Sequence, residues 1–283
     1  MKLATIRSTH SETFAALLRE DELVELPGFA DVGAFLRAPA AEQDRAIKAA
    51  TSDNGSLQTV SAQNADFAPL LVAPSKTICV GLNYADHIKE TGNETPKFPT
   101  LFAKFADTLA GAHDDIQIPE EDHRIDWEAE LVIVIGSGGR RIPGDQAAQA
   151  IAGYTIANDI SMRGYQGRTM EWLQGKIWDA TTPVGPYMLS ADEFDPAARI
   201  YTTVNGETVQ DDTLDTQVFS PAELVAYIST ITTLRAGDLI LTGTPAGVAL
   251  GRRNEEGRHP WLKAGDEITA GIEGIGEQRN KLV

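Results

Sequence analysis

The feature that most constrains the fold is the segment 128–135, where two glutamates lead directly into an uninterrupted apolar run. Residues 131–135 read Leu-Val-Ile-Val-Ile, which is typical of a strand buried on both faces. Side chains two positions apart in a strand share a face, so Glu128 and Glu130 are predicted to point the same way. Two like charges at the mouth of a buried strand repel each other unless a cation lies between them. A metal site and a solvent-facing strand end are the two interpretations open at this point.

The chain beyond residue 73 consists of short apolar runs separated by turns rich in Gly, Pro, Asn and Asp. Strands are predicted over residues 77–80, 131–135, 153–157, 201–204 and 238–242. Asn205-Gly206 predicts a hairpin turn, and Ser220 is predicted to cap a helix over 221–234. Because strands dominate and regular βαβ alternation is absent, the sequence predicts a β-rich α+β fold, neither a Rossmann fold nor a TIM barrel.

Residues 1–72 hold no concentration of chemically functional side chains and are predicted to form a small N-terminal α/β domain. A strand is expected over 3–6, and amphipathic helices are expected over 11–19 and 40–50. Residues 64–74, which include two prolines, are predicted to link this segment to a catalytic domain over 73–283.

The charge balance limits the partners of the chain. Lys and Arg number 24 against 41 Asp and Glu, for a net charge of −17, and no basic patch stands out. Nucleic acid and anionic membrane surfaces are therefore excluded as expected partners. The sequence has neither a long apolar run nor a signal peptide, so a cytoplasmic location is expected. A single cysteine, Cys79, excludes a disulfide framework and a cysteine-based zinc site.

A third carboxylate follows the predicted strand at 153–157, where the chain turns abruptly polar at Asn158-Asp159. Asp159 either begins a turn or supplies a third ligand beside Glu128 and Glu130. Three carboxylates suit Mg²⁺, Mn²⁺ or Ca²⁺ and leave coordination positions for water and substrate.

A histidine and a glutamate lie three positions apart in a predicted short helix over 83–90. His87 and Glu90 would share one helix face, as a general base with its orienting carboxylate or as a surface ion pair. The spacing alone leaves both interpretations open. An anionic substrate would need hydrogen-bond donors and cations in an acidic protein. Four such residues follow Asp159 closely in the sequence: Arg163, Gln166, Arg168 and Lys176.

Six motifs in a fixed order resemble the fumarylacetoacetate hydrolase family over residues 73–283. They are GLNYADH at 81–87, DWEAEL at 126–131, GYTIANDIS at 153–161, QGK at 174–176, VNGE at 204–207 and GDLILTGTPAGV at 237–248. The resemblance implies a mixed β-roll that is usually dimeric, so a homodimer is expected. Residues 1–72 resemble only a variable N-terminal extension of such a protein.

The resemblance also implies roles for individual residues. The metal ligands would be Glu128, Glu130 and Asp159, and the His87–Glu90 pair would lie on a mobile lid helix. Further implied catalytic or substrate-binding residues are Lys176, Gln166, Arg163 and Thr244. One position departs from the family pattern, because Gly164 stands where related sequences often have Asp, which leaves the geometry of Arg163 open.

Members of the family cleave, decarboxylate or isomerise 2-oxo acids through an enolate stabilised by a divalent metal. The resemblance therefore implies a hydrolase that cleaves a C–C bond in an acylpyruvate-type 1,3-dioxo acid, with Mg²⁺ or Mn²⁺, or else Ca²⁺, as cofactor. Decarboxylation of oxaloacetate, or isomerisation of an unsaturated 2-oxo acid in aromatic catabolism, is the alternative at the same site. A non-catalytic metal-binding or ligand-carrying module would leave the His–Glu pair and Lys176 without a use.

Overall fold

A ten-stranded sheet organises the computed structural model, which describes residues 1–8 and 12–283. The strands are β1 Lys2–Arg7, β2 Thr13–Arg19, β3 Glu22–Glu25, β4 Thr59–Ser61, β5 Thr77–Gly81, β6 Thr100–Lys104, β7 Leu109–Ala110, β8 Ile125–Asp126, β9 Ala129–Ile135, β10 Ile151–Asn158, β11 Ser161–Met162, β12 Thr182–Pro183, β13 Met188–Ser190, β14 Arg199–Val204, β15 Glu207–Thr213, β16 Leu239–Leu241, β17 Glu267–Ile272 and β18 Gly276–Lys281. The α-helices are α1 Val32–Arg37, α2 Ala40–Thr51, α3 Ala85–Glu90, α4 Gly144–Ala147, α5 Arg163–Gln166 and α6 Pro221–Ile231.

The large sheet has the strand order β4-β3-β2-β1-β13-β10-β9-β16-β5-β6, and a second sheet has the order β15-β14-β17-β18. Two very short pairs, β11 with β8 and β12 with β7, complete the sheets of the described residues. Most neighbouring strands are antiparallel, although β16 pairs with β5 in parallel. This mixed, strand-rich architecture confirms the predicted α+β fold.

Strand β9 lies inside the large sheet and is buried along its whole length. Leu131, Ile133 and Ile135 face a core formed with α6 and the second sheet. Val132 and Val134 face the opposite way, into a core formed with α1, α2 and the N-terminal strands. The prediction of a strand covered on both faces is confirmed, and apolar packing on its two sides fixes the strand that leads into the candidate site.

The other predicted elements are mostly confirmed. Strands β5, β10, β14 and β16 lie at the predicted places, and β14 and β15 form the hairpin around Asn205-Gly206. Helix α2 covers the predicted 40–50. Helix α6 begins with a capping box, in which Ser220 and Glu223 each accept a hydrogen bond from the other's backbone N–H.

The helix predicted over 11–19 is wrong. Residues 13–19 form β2, which pairs with β1 on one side and β3 on the other, while residue 11 lies outside the described part of the chain. Pairing on both sides outweighs the local helical pattern, because a weak helix propensity is readily overridden by tertiary contacts. The turn that joins β2 to β3, at Glu20-Asp21, was not predicted, because Glu20 adopts a positive φ of 55° at a place where glycine is usual.

Residues 1–72 contribute four strands to one end of the large sheet. The junction with the rest of the sheet is the antiparallel pair β1–β13, with Leu3 opposite Met188. The division into two domains near residue 72 stays a prediction. In the described residues, no helix has the length and apolar character needed to cross a membrane.

Because β9 packs against a core on each face, replacing an isoleucine in it should cost much more stability than replacing an exposed isoleucine. Ile133 in β9 is 0% exposed, whereas Ile231 at the end of α6 is 56% exposed. Ile133→Ala is expected to lower the free energy of unfolding by about 2–5 kcal/mol, because it leaves a cavity in a core that cannot collapse. The matched control, Ile231→Ala, should cost less than about 0.5 kcal/mol. Urea denaturation followed by circular dichroism measures both, and equal losses would contradict the packing of β9.

Candidate active site

Three buried carboxylates converge where β9 begins and β10 ends. Oxygen atoms of Glu128, Glu130 and Asp159 lie within 4.8 Å of one another. The antiparallel register places Asn158 opposite Ala129, so that the residues on either side are neighbours across the sheet. The backbone N–H of Asp159 donates to the carbonyl of Glu128 at 2.8 Å. The sheet ladder therefore sets the positions of these three residues, called the acidic triad below, before their side chains make any contact.

Buried cations surround the acidic triad. The ammonium of Lys176 contacts Glu128 Oε2 and lies 2.9 Å from Asp159 Oδ2. The ammonium of Lys104 lies 2.7 Å from Asp159 Oδ1, and Arg163 Nη2 lies 2.6 Å from Glu128 Oε1. All three cationic side chains are less than one-tenth exposed. Ions this far from water need partners, so carboxylates and cations hold each other in the interior.

The two glutamates of the triad differ in their protonation. Burial raises the pKa of Glu128, but the charges of Lys176 and Arg163 outweigh it and bring that pKa down to about 2. Burial, and then repulsion by Asp159 and Glu128, holds the pKa of Glu130 well above its ordinary value. Glu130 Oε2 accepts a hydrogen bond from the backbone N–H of Gly243 at 2.7 Å. Among the described residues no Lys or Arg forms an ion pair with it, so Glu130 is the unbalanced member of the triad.

The donor set fits a hard divalent cation. Its ligand atoms are all carboxylate oxygens, the type that Mg²⁺, Mn²⁺ and Ca²⁺ prefer. Asp159 Oδ1 is fully buried and accepts no well-aligned hydrogen bond in the described part of the chain, although it lies beside Lys104. A cation between the carboxylates would also remove the repulsion that raises the pKa of Glu130. The acidic triad can thus hold a divalent metal, and the choice among the three ions stays a prediction.

The predicted His–Glu pair is present on α3. His87 Nδ1 lies 2.7 Å from Glu90 Oε1, and the backbone N–H of Gly247 donates to Glu90 Oε2 at 3.0 Å. A Cβ atom at Gly251 would lie 2.3 Å from Glu90 Oε2, so glycine is needed for this close approach. His87 is only 7% exposed, which excludes the surface ion pair as the explanation. Its catalytic role and the mobility of α3 stay predictions.

Arg163 forms ion pairs with the carboxylates of Asp126 and Glu128 and donates a hydrogen bond to the side-chain amide of Gln166. Its Nε donates to Asp126 Oδ2 at 2.8 Å, and its Nη1 donates to Gln166 Oε1 at 2.8 Å. Because Gln166 Oε1 accepts this bond, the amide NH₂ group is the part of Gln166 left to donate. Asp126 in turn accepts the backbone N–H groups of Ala249 and Leu250 at 2.6 and 3.0 Å.

Gly164, the position that departs from the family pattern, packs against the carboxylate of Asp122. A Cβ atom there would lie 2.6 Å from Asp122 Oδ1. The other oxygen of Asp122 accepts the backbone N–H of Tyr165 at 3.0 Å. A carboxylate from a different part of the chain thus lies beside residue 164, and Arg163 keeps its ion pairs with glycine at that position.

Sequence reasoning missed three residues that support the site. Lys104 and Asp126 are the buried partners of Asp159 and Arg163, and Gln210 donates from Nε2 to Thr244 Oγ1 at 2.8 Å. Asp126 stands in the DWEAEL motif, so its place beside the glutamates was an available signal. Lys104 is the last residue of β6, and Gln210 lies in the β14–β15 hairpin. Neither position stands in a sequence pattern that indicates a function.

A cavity of about 870 Å³ opens above the acidic triad. Apolar and aromatic side chains form much of its wall: Val80, Phe102, Trp172, Leu250 and Trp261. The cavity also contacts most of the predicted site residues: His87, Glu128, Glu130, Arg163, Gln166, Lys176 and Thr244. Of the remaining two, Glu90 bonds to His87 and Asp159 to Lys176, so the structure brings every predicted site residue into one region.

Residues 76–283 match the family model described as fumarylacetoacetate (FAA) hydrolase, C-terminal. The mitochondrial oxaloacetate tautomerase Fahd2a of Rattus norvegicus is 40% identical over 220 residues, which cover 77% of this chain and 69% of the relative. The solved fumarylacetoacetate hydrolase of Exiguobacterium antarcticum superposes with a TM-score of 0.85 at 28% identity, covering 100% of this chain and 99% of the other. The 5-carboxymethyl-2-hydroxymuconate delta-isomerase of Mycobacterium smegmatis does so with a TM-score of 0.79 at 28% identity and the same coverage.

The unequal pairing of the two glutamates predicts opposite effects of neutralising them. In chelated, metal-free protein, Glu128→Gln should lower the free energy of unfolding by roughly 3–5 kcal/mol, since Lys176 and Arg163 lose a buried partner. Glu130→Gln should leave stability unchanged or raise it, because it removes repulsion. Added Mn²⁺ should raise the Tm of the wild type and of neither variant. A Mn²⁺-dependent Tm rise in both variants would exclude the triad as the metal site.

The same comparison has a pH dependence. Folding raises the pKa of Glu130 above its ordinary value of 4.5, so ionising it opposes folding. Metal-free wild type should therefore lose stability as pH rises from that value through the raised pKa. Glu130→Gln should weaken this slope, as measured by Tm across pH in the presence of chelator.

The contact between Gly164 and Asp122 predicts a coupled pair of substitutions. Gly164→Asp should destabilise the protein by about 1–3 kcal/mol, because a side chain and a second charge would crowd the carboxylate of Asp122. Gly164→Ala serves as the control that adds the Cβ atom without the charge. The double variant with Asp122→Ala should lose less than the sum of the single losses in urea denaturation. Additive losses would show that the two positions do not interact.

Proposed function

This chain belongs to the fumarylacetoacetate hydrolase family, and on that basis we propose that it is a divalent-metal-dependent enzyme acting on a small 2-oxo acid. The observation that carries the proposal is that the buried His87 lies on the wall of the same cavity as Glu128 and Glu130. A non-catalytic metal-binding module would have no use for a buried His–Glu pair at that place.

Glu128, Glu130 and Asp159 are the residues that would hold Mg²⁺ or Mn²⁺. A divalent cation bound there supplies Lewis-acid polarisation of the oxygens of a 2-oxo acid and favours the enolate. Lys176 and Arg163 flank the same carboxylates and offset the charge of the substrate carboxylate.

The reaction we place first is hydrolysis of a C–C bond in an acylpyruvate-type 1,3-dioxo acid. In the tautomer that this reaction uses, Nδ1–H of His87 donates a hydrogen bond to Glu90, which leaves Nε2 as the basic nitrogen that takes a proton from water. The resulting hydroxide adds to the distal carbonyl carbon. The NH₂ group of Gln166 and the ammonium of Lys176 donate to the oxyanion that forms there.

Collapse of that oxyanion breaks the C–C bond between the acyl carbon and the methylene of the pyruvate unit. The bonding electron pair passes to the pyruvate fragment as its enolate, and the acyl fragment leaves as a carboxylic acid. Protonation of the enolate carbon by the imidazolium of His87 then returns the base to its starting state.

A second candidate is keto–enol tautomerisation of oxaloacetate, favoured by the name of the rat relative at 40% identity. It requires a group that moves a proton between a carbon and the 2-oxo oxygen, without attack by water. Decarboxylation of oxaloacetate and isomerisation of an unsaturated 2-oxo acid use the same enolate. The cytoplasmic location and the homodimer stay predictions from the sequence.

Replacing His87 separates these reactions. His87→Ala should lower acylpyruvate cleavage by roughly 10²-fold or more, the usual loss when a general base is removed. Oxaloacetate decarboxylation, which relies mainly on the cation as electron sink, should fall less. The matched control is Lys89→Ala on the same helix, whose side chain is exposed and bonds to Asp86. Purified Mn²⁺-loaded proteins are assayed for both reactions, and intact acylpyruvate cleavage in His87→Ala would move the tautomerase and lyase alternatives to first place.

A further inference from the structure

Gln210 is a buried polar residue that the proposed reaction does not use. It is 1% exposed, lies in β15 and makes four hydrogen bonds with its side-chain amide. In the β14–β15 hairpin, Thr208 lies opposite Thr203 but Gln210 lies opposite Thr202, so the strand bulges at Val209. A bulge changes the direction in which the neighbouring side chains point. The amide of Gln210 extends from the hairpin to β9 and to the loop that follows β16.

Two backbone groups fix the orientation of this amide. The backbone N–H of Ala129, which can only donate, lies 3.2 Å from Gln210 Oε1. The carbonyl of Pro245, which can only accept, lies 2.9 Å from Nε2. The hydroxyl of Thr202 also donates to Oε1, at 2.7 Å. The oxygen of the amide is therefore turned towards β9 and its NH₂ group towards the loop after β16.

This orientation determines where the hydroxyl proton of Thr244 can point. Gln210 Nε2 donates to Thr244 Oγ1 at 2.8 Å, so the threonine oxygen is the acceptor in this contact. The hydroxyl proton must point elsewhere, and within residues 1–8 and 12–283 it is donated to no acceptor. Thr244 is buried but lines the cavity. Its O–H group is thus a buried donor that is available to a ligand.

The same amide connects Thr244 to the acidic triad. Its oxygen accepts the backbone N–H of the residue between the two glutamates, and its nitrogen donates to Thr244. Gly243, which precedes Thr244, donates its backbone N–H to Glu130 Oε2 at 2.7 Å. The hydroxyl of Thr244 is therefore held close to the carboxylates that would bind the cation. An anionic oxygen of a ligand at that place is a suitable acceptor for its proton.

We propose that Gln210 is a positioning residue that holds the hydroxyl of Thr244 as a hydrogen-bond donor to an anionic oxygen of the substrate. This inference rests on the proposed function, because it assumes that the 2-oxo carboxylate end of the substrate lies at the triad. Gln210 does not line the cavity, so it acts through Thr244 and touches no reacting atom.

A double-mutant cycle on ligand binding tests the proposal without turnover. Isothermal titration calorimetry on Mn²⁺-saturated protein measures the Kd of pyruvate, a small 2-oxo acid. Thr244→Val should weaken binding roughly tenfold or more, the usual effect of losing a hydrogen bond to a charged group. Gln210→Met should weaken it roughly fivefold, because the Thr244 hydroxyl can then rotate away from the ligand.

The decisive measurement is the effect of Gln210→Met in protein that already carries Thr244→Val. There it should change the Kd less than about twofold, because no hydroxyl is left to hold. An equal loss with and without the Thr244 hydroxyl would overturn the proposal, as would a wild type that does not bind pyruvate. If Gln210→Met does not fold, Gln210→Glu takes its place, since a carboxylate still accepts from Ala129 and Thr202 but draws the Thr244 proton away from the ligand.

The matched control is Gln278→Met, which removes another buried amide. Gln278 is 0% exposed, does not line the cavity and donates to three backbone carbonyls, those of Ile156, Pro183 and Gly185. This variant should lose Tm, as Gln210→Met does, but keep the wild-type Kd of pyruvate. A weakening of pyruvate binding as large as that in Gln210→Met would show a general effect of lost stability and overturn the proposal.

A titration with Mn²⁺ alone separates a positioning role from simple support of the triad. The Mn²⁺ affinity of Gln210→Met should stay within about twofold of the wild type, because the three carboxylates are unchanged. A fall in Mn²⁺ affinity as large as the fall in pyruvate affinity would show that Gln210 supports the metal ligands instead, and would overturn the proposal.

A kinetic comparison separates this proposal from the proposed function. With acetylpyruvate, Gln210→Met should raise KM roughly fivefold at unchanged kcat, and only while Thr244 is present. If the wild type cleaves no acylpyruvate but pyruvate binding shows the coupling, the hydrolase function fails and the role of Gln210 stands. If acylpyruvates are cleaved and Gln210→Met has the same effect with and without the Thr244 hydroxyl, the role of Gln210 fails and the hydrolase function stands.

Discussion

The balance of charge in the interior is the constraint on which the rest of the site depends. The acidic triad and Asp126 place four carboxylates beside three buried cations, Lys104, Arg163 and Lys176. One negative charge is left without a partner, and burial, together with repulsion by Asp159 and Glu128, raises the pKa of Glu130. A divalent cation would convert this excess into a single positive charge, which the carboxylate of one 2-oxo acid would neutralise. Under the proposed function, the buried cluster would therefore reach charge balance only with both cation and substrate present.

Rigid strands carry the charges that must stay in place. Glu130 and Asp159 stand on or next to β9 and β10, and β9 packs against an apolar core on each face, so a displaced ligand would disturb both cores. The His87–Glu90 pair instead stands on the short helix α3, and Gly247 binds Glu90 by hydrogen bonds from its backbone. Under the proposed function, the metal ligands would stand on the rigid sheet and the general base on a separate element.

The sequence revealed residues whose role has a local pattern. Strand periodicity put Glu128 and Glu130 on one face and a polar stop marked Asp159, but it was the family resemblance that joined the three into one predicted metal site. Lys104 was not predictable, since its contact with Asp159 joins positions distant in sequence. The helix expected over 11–19 failed for a related reason: the strands that flank β2 are invisible to a pattern read along one segment.

Charge balance also explains why a second substrate carboxylate would need its own partner. Once one 2-oxo acid carboxylate has neutralised the buried cluster, the cations around the triad have no surplus for another anion. A distal carboxylate would then lie in the negative field of a chain with a net charge of −17, unless a separate cation faced it. Under the proposed function, the cluster would balance one substrate charge and no more, so a preference between monoacids and diacids would have to arise outside the triad.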